Sequence, residues 1–80
     1  MTMASEIKTG DKFMHFKGNA YEIVCIAKNH EGEEDDIVIY KAINTGVIYG
    51  RPLEQFCSPV DKVKYPAVIQ EMRFQRIYNL

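Results

Sequence analysis

The sequence predicts a mainly β domain: five short strands bent into a small barrel, with a 3₁₀ turn after the fourth strand. Three observations predict it. Short runs of alternating apolar and polar residues recur along the chain, the period of a strand with one buried face. Tight turn signals separate the runs, at Thr9-Gly10-Asp11, Lys17-Gly18-Asn19 and Asn44-Thr45-Gly46. The whole chain is 80 residues, one domain (1–80), and a flat sheet of that size would leave two long open edges.

Residues 1–6 carry no pattern and are read as a frayed end. Lys12 to Phe16 is the first strand, with Phe13 and His15 on one side and Met14 and Phe16 on the other. Lys17-Gly18-Asn19 reverses the chain, because Gly and Asn tolerate the positive φ of tight turns. Ala20 to Lys28 is the second strand. Strict alternation puts Tyr21, Ile23, Cys25 and Ala27 on one face and Glu22, Val24, Ile26 and Lys28 on the other. Both faces are apolar at the centre, as in a strand that bends around a barrel. Asn29 to Asp35 is a polar loop.

Asp36 to Ile43 is the third strand, rich in β-branched residues. Val47 to Arg51 is the fourth. Pro52 stops it, since proline has no N–H for a ladder, and Leu53 to Phe56 then form a single 3₁₀ turn. The tail has two readings. Val68, Ile69 and Met72 have helical spacing, while Met72, Phe74 and Tyr78 line one face of a strand. Val60 to Tyr65 also has the make-up of a short strand. The preferred reading is a turn at 66–71 and a closing strand near Arg73–Tyr78. These elements together describe an SH3-like barrel.

Composition narrows the function. Hydrophobic residues are 46% and charged residues 26%, with net charge −1. That balance is that of an ordinary soluble domain and offers no general attraction for nucleic acid or an anionic membrane. The charge is uneven, however. Glu31, Glu33, Glu34, Asp35 and Asp36 crowd one loop, whereas Lys62, Lys64, Arg73 and Arg76 outnumber Asp61 and Glu71 in the tail. No apolar run approaches the roughly 20 residues of a membrane span. Cys25 and Cys57 form no CxxC pair. With no signal peptide, two free thiols point to a reducing cytoplasm, and Cys25, inside an apolar run, reads as a small core residue.

The block His15-Phe16-Lys17-Gly18-Asn19 with Tyr21, then Ile26-Ala27, the acidic turn, Val38-Ile39-Tyr40 and Arg51-Pro52-Leu53-Glu54 with Phe56 resembles the small bacterial proteins grouped as domain of unknown function 1653. The resemblance covers about residues 10–56, and more loosely Arg73-Phe74. The chain departs from the family pattern in two places. Ile48-Tyr49-Gly50 precede Arg51 where the family usually has an aromatic or apolar residue, as in a Trp-Val-Arg-Pro pattern, and Gln55 stands where it often has Met. The resemblance implies a compact SH3-like β domain and assigns no activity.

Site candidates follow from residue chemistry. His15, Lys17 and Arg51 are the best set for one anion-binding site, since Arg offers a planar fork matched to carboxylate or phosphate. Against this, Arg51 has Glu54 and Glu22 as candidate ion-pair partners at the barrel corner. Tyr21 and Tyr40, with Phe13, Phe16 and Tyr49, come from neighbouring strands, and at most two of these rings can be spared from a thin core to meet a ligand. The ligand- or partner-binding set is therefore His15, Lys17, Tyr21, Tyr40, Arg51 and Glu54. His15, His30, Cys25 and Cys57 lack the paired spacing of a zinc site, and the acidic loop lacks the ligand spacing of a calcium loop. No metal or cofactor is expected. A Cys57–His15 pair is the one nucleophile arrangement to weigh, and a domain this small has little room for a deep pocket. The expected function is a non-enzymatic interaction module for a peptide or partner protein. The alternatives are a single-stranded nucleic-acid binder that uses the basic tail and a thiol-dependent enzyme acting through Cys57 and His15.

Overall fold

A computed structural model of the chain describes residues 7–28 and 36–78. The expected frayed end and the acidic connection at 29–35, with His30, lie outside the described residues. Five strands form one antiparallel sheet: β1 Lys12–His15, β2 Ala20–Ala27, β3 Ile37–Ala42, β4 Ile48–Pro52 and β5 Phe74–Ile77. Their order across the sheet is β4-β3-β2-β1-β5. The sheet is therefore open, with β4 and β5 as its edges, where the sequence predicted a closed or nearly closed barrel. The tail's closing strand is present as β5, which pairs with β1 and sets Phe74 opposite His15.

Turn chemistry sets the hairpins. Gly18 takes φ +104° and Gly46 takes φ +76°, a region that costs a side chain energy and costs glycine little. The turn after β1 is closed by His15, whose N–H donates to the Asn19 carbonyl at 2.8 Å and whose carbonyl accepts from Gly18.

Alternation holds through β1 and β3 but breaks in β2. Ile23 pairs with Tyr40 and Cys25 with Ile39, so Val24 is an extra residue opposite β3. Such a bulge reverses the phase of every side chain beyond it. Tyr21 and Ile23 face the core, but past Val24 the inward residue is Ile26, which packs on the core cluster. Cys25 is turned out and exposed, which corrects its expected core role.

The fully buried side chains are Phe13, Phe56, Ile23 and Val38, joined by Phe74 and Tyr40. All except Phe56 lie on one face of the sheet. Phe56 comes from α1, Leu53–Phe56, an α-helical turn where a 3₁₀ turn was expected. Pro52 leads into it at φ −53°, ψ 139°, extended geometry that suits proline. Phe56 stacks on Phe74 with centroids 4.1 Å apart and meets Phe13 edge-on at 5.2 Å. The helix thus bridges the two edges of the sheet over its inner face.

Residues 57–73 continue that cover. Val60 is buried and its N–H donates to the Glu71 carbonyl, while Arg73 N–H donates to Ser58. These bonds flank a single bridge between Pro59 and Met72. No strand forms at Val60–Tyr65: the bridge falls at Pro59, just before it, a turn occupies 62–64, and a second turn follows at 66–67. Gln70 pins this loop to β1 by donating from Nε2 to the carbonyls of Met14 (3.0 Å) and Met72 (2.8 Å).

Candidate functional site

The inner face of the sheet is covered at one end and open at the other. The open end is a cleft of about 510 Å³, within the usual range for a ligand site and larger than the chain length suggested. Register explains its lining. His15 follows Phe13 on the same face of β1. Tyr40 pairs with Tyr49, and Val38 with Arg51, so β4 turns Tyr49 and Arg51 to the face that holds the core. Tyr21, Tyr40 and Phe74 form the floor, and Phe16, Lys17, Lys64, Tyr65 and Arg73 rise around it.

Five of the six residues singled out from sequence line this cleft: His15, Lys17, Tyr21, Tyr40 and Arg51. Glu54 does not. On the single turn of α1, Leu53 and Phe56 face the core, so Glu54 is exposed on the outside. Glu22 is not the partner of Arg51 either. It lies on the outer face of the sheet, 3.6 Å from Lys12. Arg51 instead donates from Nε to the Tyr40 hydroxyl at 3.2 Å, with its guanidinium carbon 5.8 Å from the Phe74 ring centre.

The aromatic rings support one another. Tyr49 stacks on Tyr40 at 5.7 Å, and Tyr21 meets both edge-on, at 5.2 Å from Tyr40 and 6.0 Å from Tyr49. Only Tyr49 of this trio is strongly exposed, at 44%, whereas Tyr40 is at 4%. On the opposite wall Phe16 packs on Tyr65 at 5.0 Å, and the Lys17 ammonium lies 5.5 Å from the Tyr65 ring centre. Contacts of this kind hold a lysine without neutralising it.

Charge is the strongest feature of the cleft. Among the described residues, Lys17, Arg51, Lys64 and Arg73 line it against the one carboxylate of Asp61. Asp61 is engaged locally, because Oδ1 accepts from the N–H groups of Val63 and Lys64. The ion pairs Lys12–Glu22, Lys28–Asp36 and Arg76–Asp11 lie elsewhere. Among the described residues none joins a cleft cation to a carboxylate. Arg73 is anchored through Nε to Ser58 Oγ at 3.1 Å. Both cleft arginines thus use Nε for support, and their Nη groups make no hydrogen bond among the described residues.

His15 registers this field. Burial, then the positive charges of Arg51, Arg73 and Lys17, push its pKa from 6.5 down to about 4. It is neutral at pH 7. Its Nδ1 accepts the Lys17 N–H at 3.1 Å, which places the ring proton on Nε2. Burial raises the Tyr65 phenol, but Lys17 and Lys64 outweigh it and its pKa falls below the usual 10.0.

The basic tail does not act as a unit. Lys64 and Arg73 enter the cleft, but the Lys62 ammonium is taken up by the Val68 and Gln70 carbonyls. Arg76 is ion-paired to Asp11 at 2.8 Å and sits over Phe13. Cys57 packs against the core and does not line the cleft with His15. Among the described residues no group of three or more His, Cys, Asp or Glu is placed to hold a metal, and no helix is long and apolar enough to cross a membrane.

A family profile described as "Protein of unknown function (DUF1653)" matches residues 11–76. The chain belongs to this family. The match extends past the 10–56 stretch of the sequence resemblance and takes in every residue that lines the cleft. No curated protein and no solved structure matches the chain.

The sequence reading missed Tyr65, Asp61, Asn19 and Phe74 as parts of this site, and assigned Lys64 and Arg73 to a separate surface. Asn19 sits in the turn between β1 and β2, whereas loop 57–73 carries or leads into the others, and its pattern admits both a helical and a strand reading. The sequence signals were Asn19 in the His15–Asn19 block and the Arg73-Phe74 pair, both in the family resemblance.

Proposed function

We propose that this DUF1653 member is a small, non-enzymatic interaction module whose cleft takes an acidic segment of a peptide or partner protein. The observation that carries this reading is the convergence of Lys17, Arg51, Lys64 and Arg73 on an aromatic floor with one carboxylate already engaged. Mutually repelling cations held together by packing are stabilised when an anion arrives, and arginine forks bind carboxylates in two-point fashion. The state of His15 supports binding over acid–base chemistry. Its Nδ1 lone pair is already used by Lys17, so the neutral ring offers an N–H rather than a base. The curled sheet, with α1 and the 57–73 loop spanning its open side, is read as SH3-like. Cys25 and Cys57, not joined to each other as a disulfide, fit a reducing compartment such as the cytoplasm.

The test is a titration followed by backbone NMR with a Glu-rich peptide and its Gln-rich counterpart, at low and at physiological salt. Shifts at Lys17, Tyr49, Arg51 and Arg73 with the acidic peptide, weakened by salt, support the reading. Single-stranded oligonucleotides that bind these residues while the acidic peptide does not would replace it with the nucleic-acid reading. No response to either would end both.

A further inference from the structure

The two edges of the sheet differ in how they are finished. In β5 the residues whose backbone groups point away from β1 follow from the hydrogen bond of Phe16 N–H to the Arg73 carbonyl. Bonded pairs alternate along an antiparallel ladder, so Phe74 and Arg76 present their backbone outward. The Arg76 side chain, paired with Asp11, puts a charge at that edge, one of the devices that discourages strand addition.

In β4 the same argument starts from Ala42 N–H, which donates to the Val47 carbonyl. Tyr49 and Arg51 are then the residues bonded to β3, and Ile48, Gly50 and Pro52 point their backbone groups outward. Among the described residues nothing pairs with this edge. Its centre, Ile48-Tyr49-Gly50, bears no charge. Ile48 is 60% exposed, and a Cβ at Gly50 would touch Ile39 at 3.3 Å and Ile37 at 3.4 Å. The outer face beside Gly50 is therefore an apolar strip of isoleucines. The inner face of the same edge is the cationic cleft, through Tyr49 and Arg51.

We propose that an extended peptide segment with alternating acidic and apolar side chains adds antiparallel to β4 as a sixth strand. This rests on the acidic-segment reading of the cleft and names its binding mode. The residues of the added strand opposite Ile48 and Gly50 exchange backbone hydrogen bonds with them and lay apolar side chains on the isoleucine strip. The residues opposite Tyr49 and Arg51 turn to the cleft, where acidic side chains meet the arginine forks. Period-two alternation of the ligand thus matches the two unlike faces of one edge. Pro52, with no N–H to offer, ends the track.

The experiment uses the full chain and a capped peptide of alternating Val and Glu, with a scrambled peptide of the same composition as control. The expected result is tighter binding of the alternating peptide, with slowed hydrogen exchange at the Ile48 and Gly50 amides. N-methylation of the valines, whose N–H groups would bond β4, is expected to weaken binding about tenfold or more, and N-methylation of the glutamates much less. Ile48→Pro removes an N–H that β3 does not use and is expected to weaken binding to a similar degree. Equal binding of alternating and scrambled peptides, or no protection at Ile48 and Gly50, overturns strand addition while leaving the acidic-segment reading in place. No binding of any acidic peptide overturns both.

Discussion

Along one face of one sheet, the chain builds two different environments. At one end Phe13, Phe56 and Phe74 close into a dry cluster. At the other, His15, Tyr21, Tyr49 and Arg51 line an open cleft. Phe13 and His15 are only two residues apart on β1, and Phe74 touches both regions, stacking on Phe56 and meeting His15 edge-on at 4.9 Å. What differs is the cover. α1 lays Phe56 over the first region, whereas the 57–73 loop borders the second with Tyr65, Lys64 and Arg73. The same strand alternation yields core where an apolar lid lands on it and a site where the lid is polar and stands aside.

Removing the lid of the closed end should have the largest effect. Phe56→Ala deletes a ring that is 1% exposed and touches Phe13, Tyr40 and Phe74. A loss of about 3–5 kcal/mol is expected for such a change, enough to unfold a domain of this size near ambient temperature. A urea titration followed by circular dichroism checks it. A well-folded Phe56→Ala protein would mean that the loop alone holds the core.

The open end should reveal itself through pH. His15 has its pKa lowered in the folded protein, so the unfolded chain takes up the proton first. Stability should be flat above about pH 6.5 and fall as pH drops from 6.5 toward 4, by roughly 1–2 kcal/mol once solvent screening of this partly buried ring is allowed for. Asp11, held below the usual 3.8 chiefly by its hydrogen bond from Arg76, acts in a separate window. Its contribution is present above that value and is lost as pH falls below it. Urea midpoints measured against pH for the wild type and His15→Gln check this. A profile that keeps its slope between pH 6.5 and 4 in the variant would remove His15 as the cause.

Arg51→Ala sharpens the contrast at lower cost. It removes the bond to Tyr40, worth about 0.5–1.5 kcal/mol. It also removes one of the charges that depress His15. The His15 pKa should rise but stay below 6.5, because burial remains. An NMR titration of the imidazole reads this directly, and an unchanged value would show that Arg51 does not share the cleft field.

The smallest effect is expected on the outer face. Cys25→Ser should change stability by less than about 0.5 kcal/mol, since the side chain is exposed. In the native protein Cys25 should react with a thiol reagent faster than half-buried Cys57. The reverse order would mean that β2 runs without its bulge.

Much of this molecule is local and therefore legible in its residues. The strand positions, the turns at Gly18 and Gly46 and the inward face of β1 and β3 follow from alternation and backbone preference over a few neighbouring positions. His15, Tyr21, Tyr40 and Arg51 could be grouped because antiparallel neighbours keep side chains in phase. What crosses the chain was not legible. The bulge at Val24 is set by how β2 bends against β3, and it reverses Cys25 without any local mark. The sheet is open, and Phe56 and Phe74, far apart in sequence, stack over its inner face. Arg73 joins Arg51 only because the Ser58–Arg73 pairing folds an ambiguously patterned loop back on itself. The sequence determined which residues could face a common side. The tertiary structure decided which of them are buried as core and which stand around an open, positively charged cleft, because that depends on where a distant lid comes to rest.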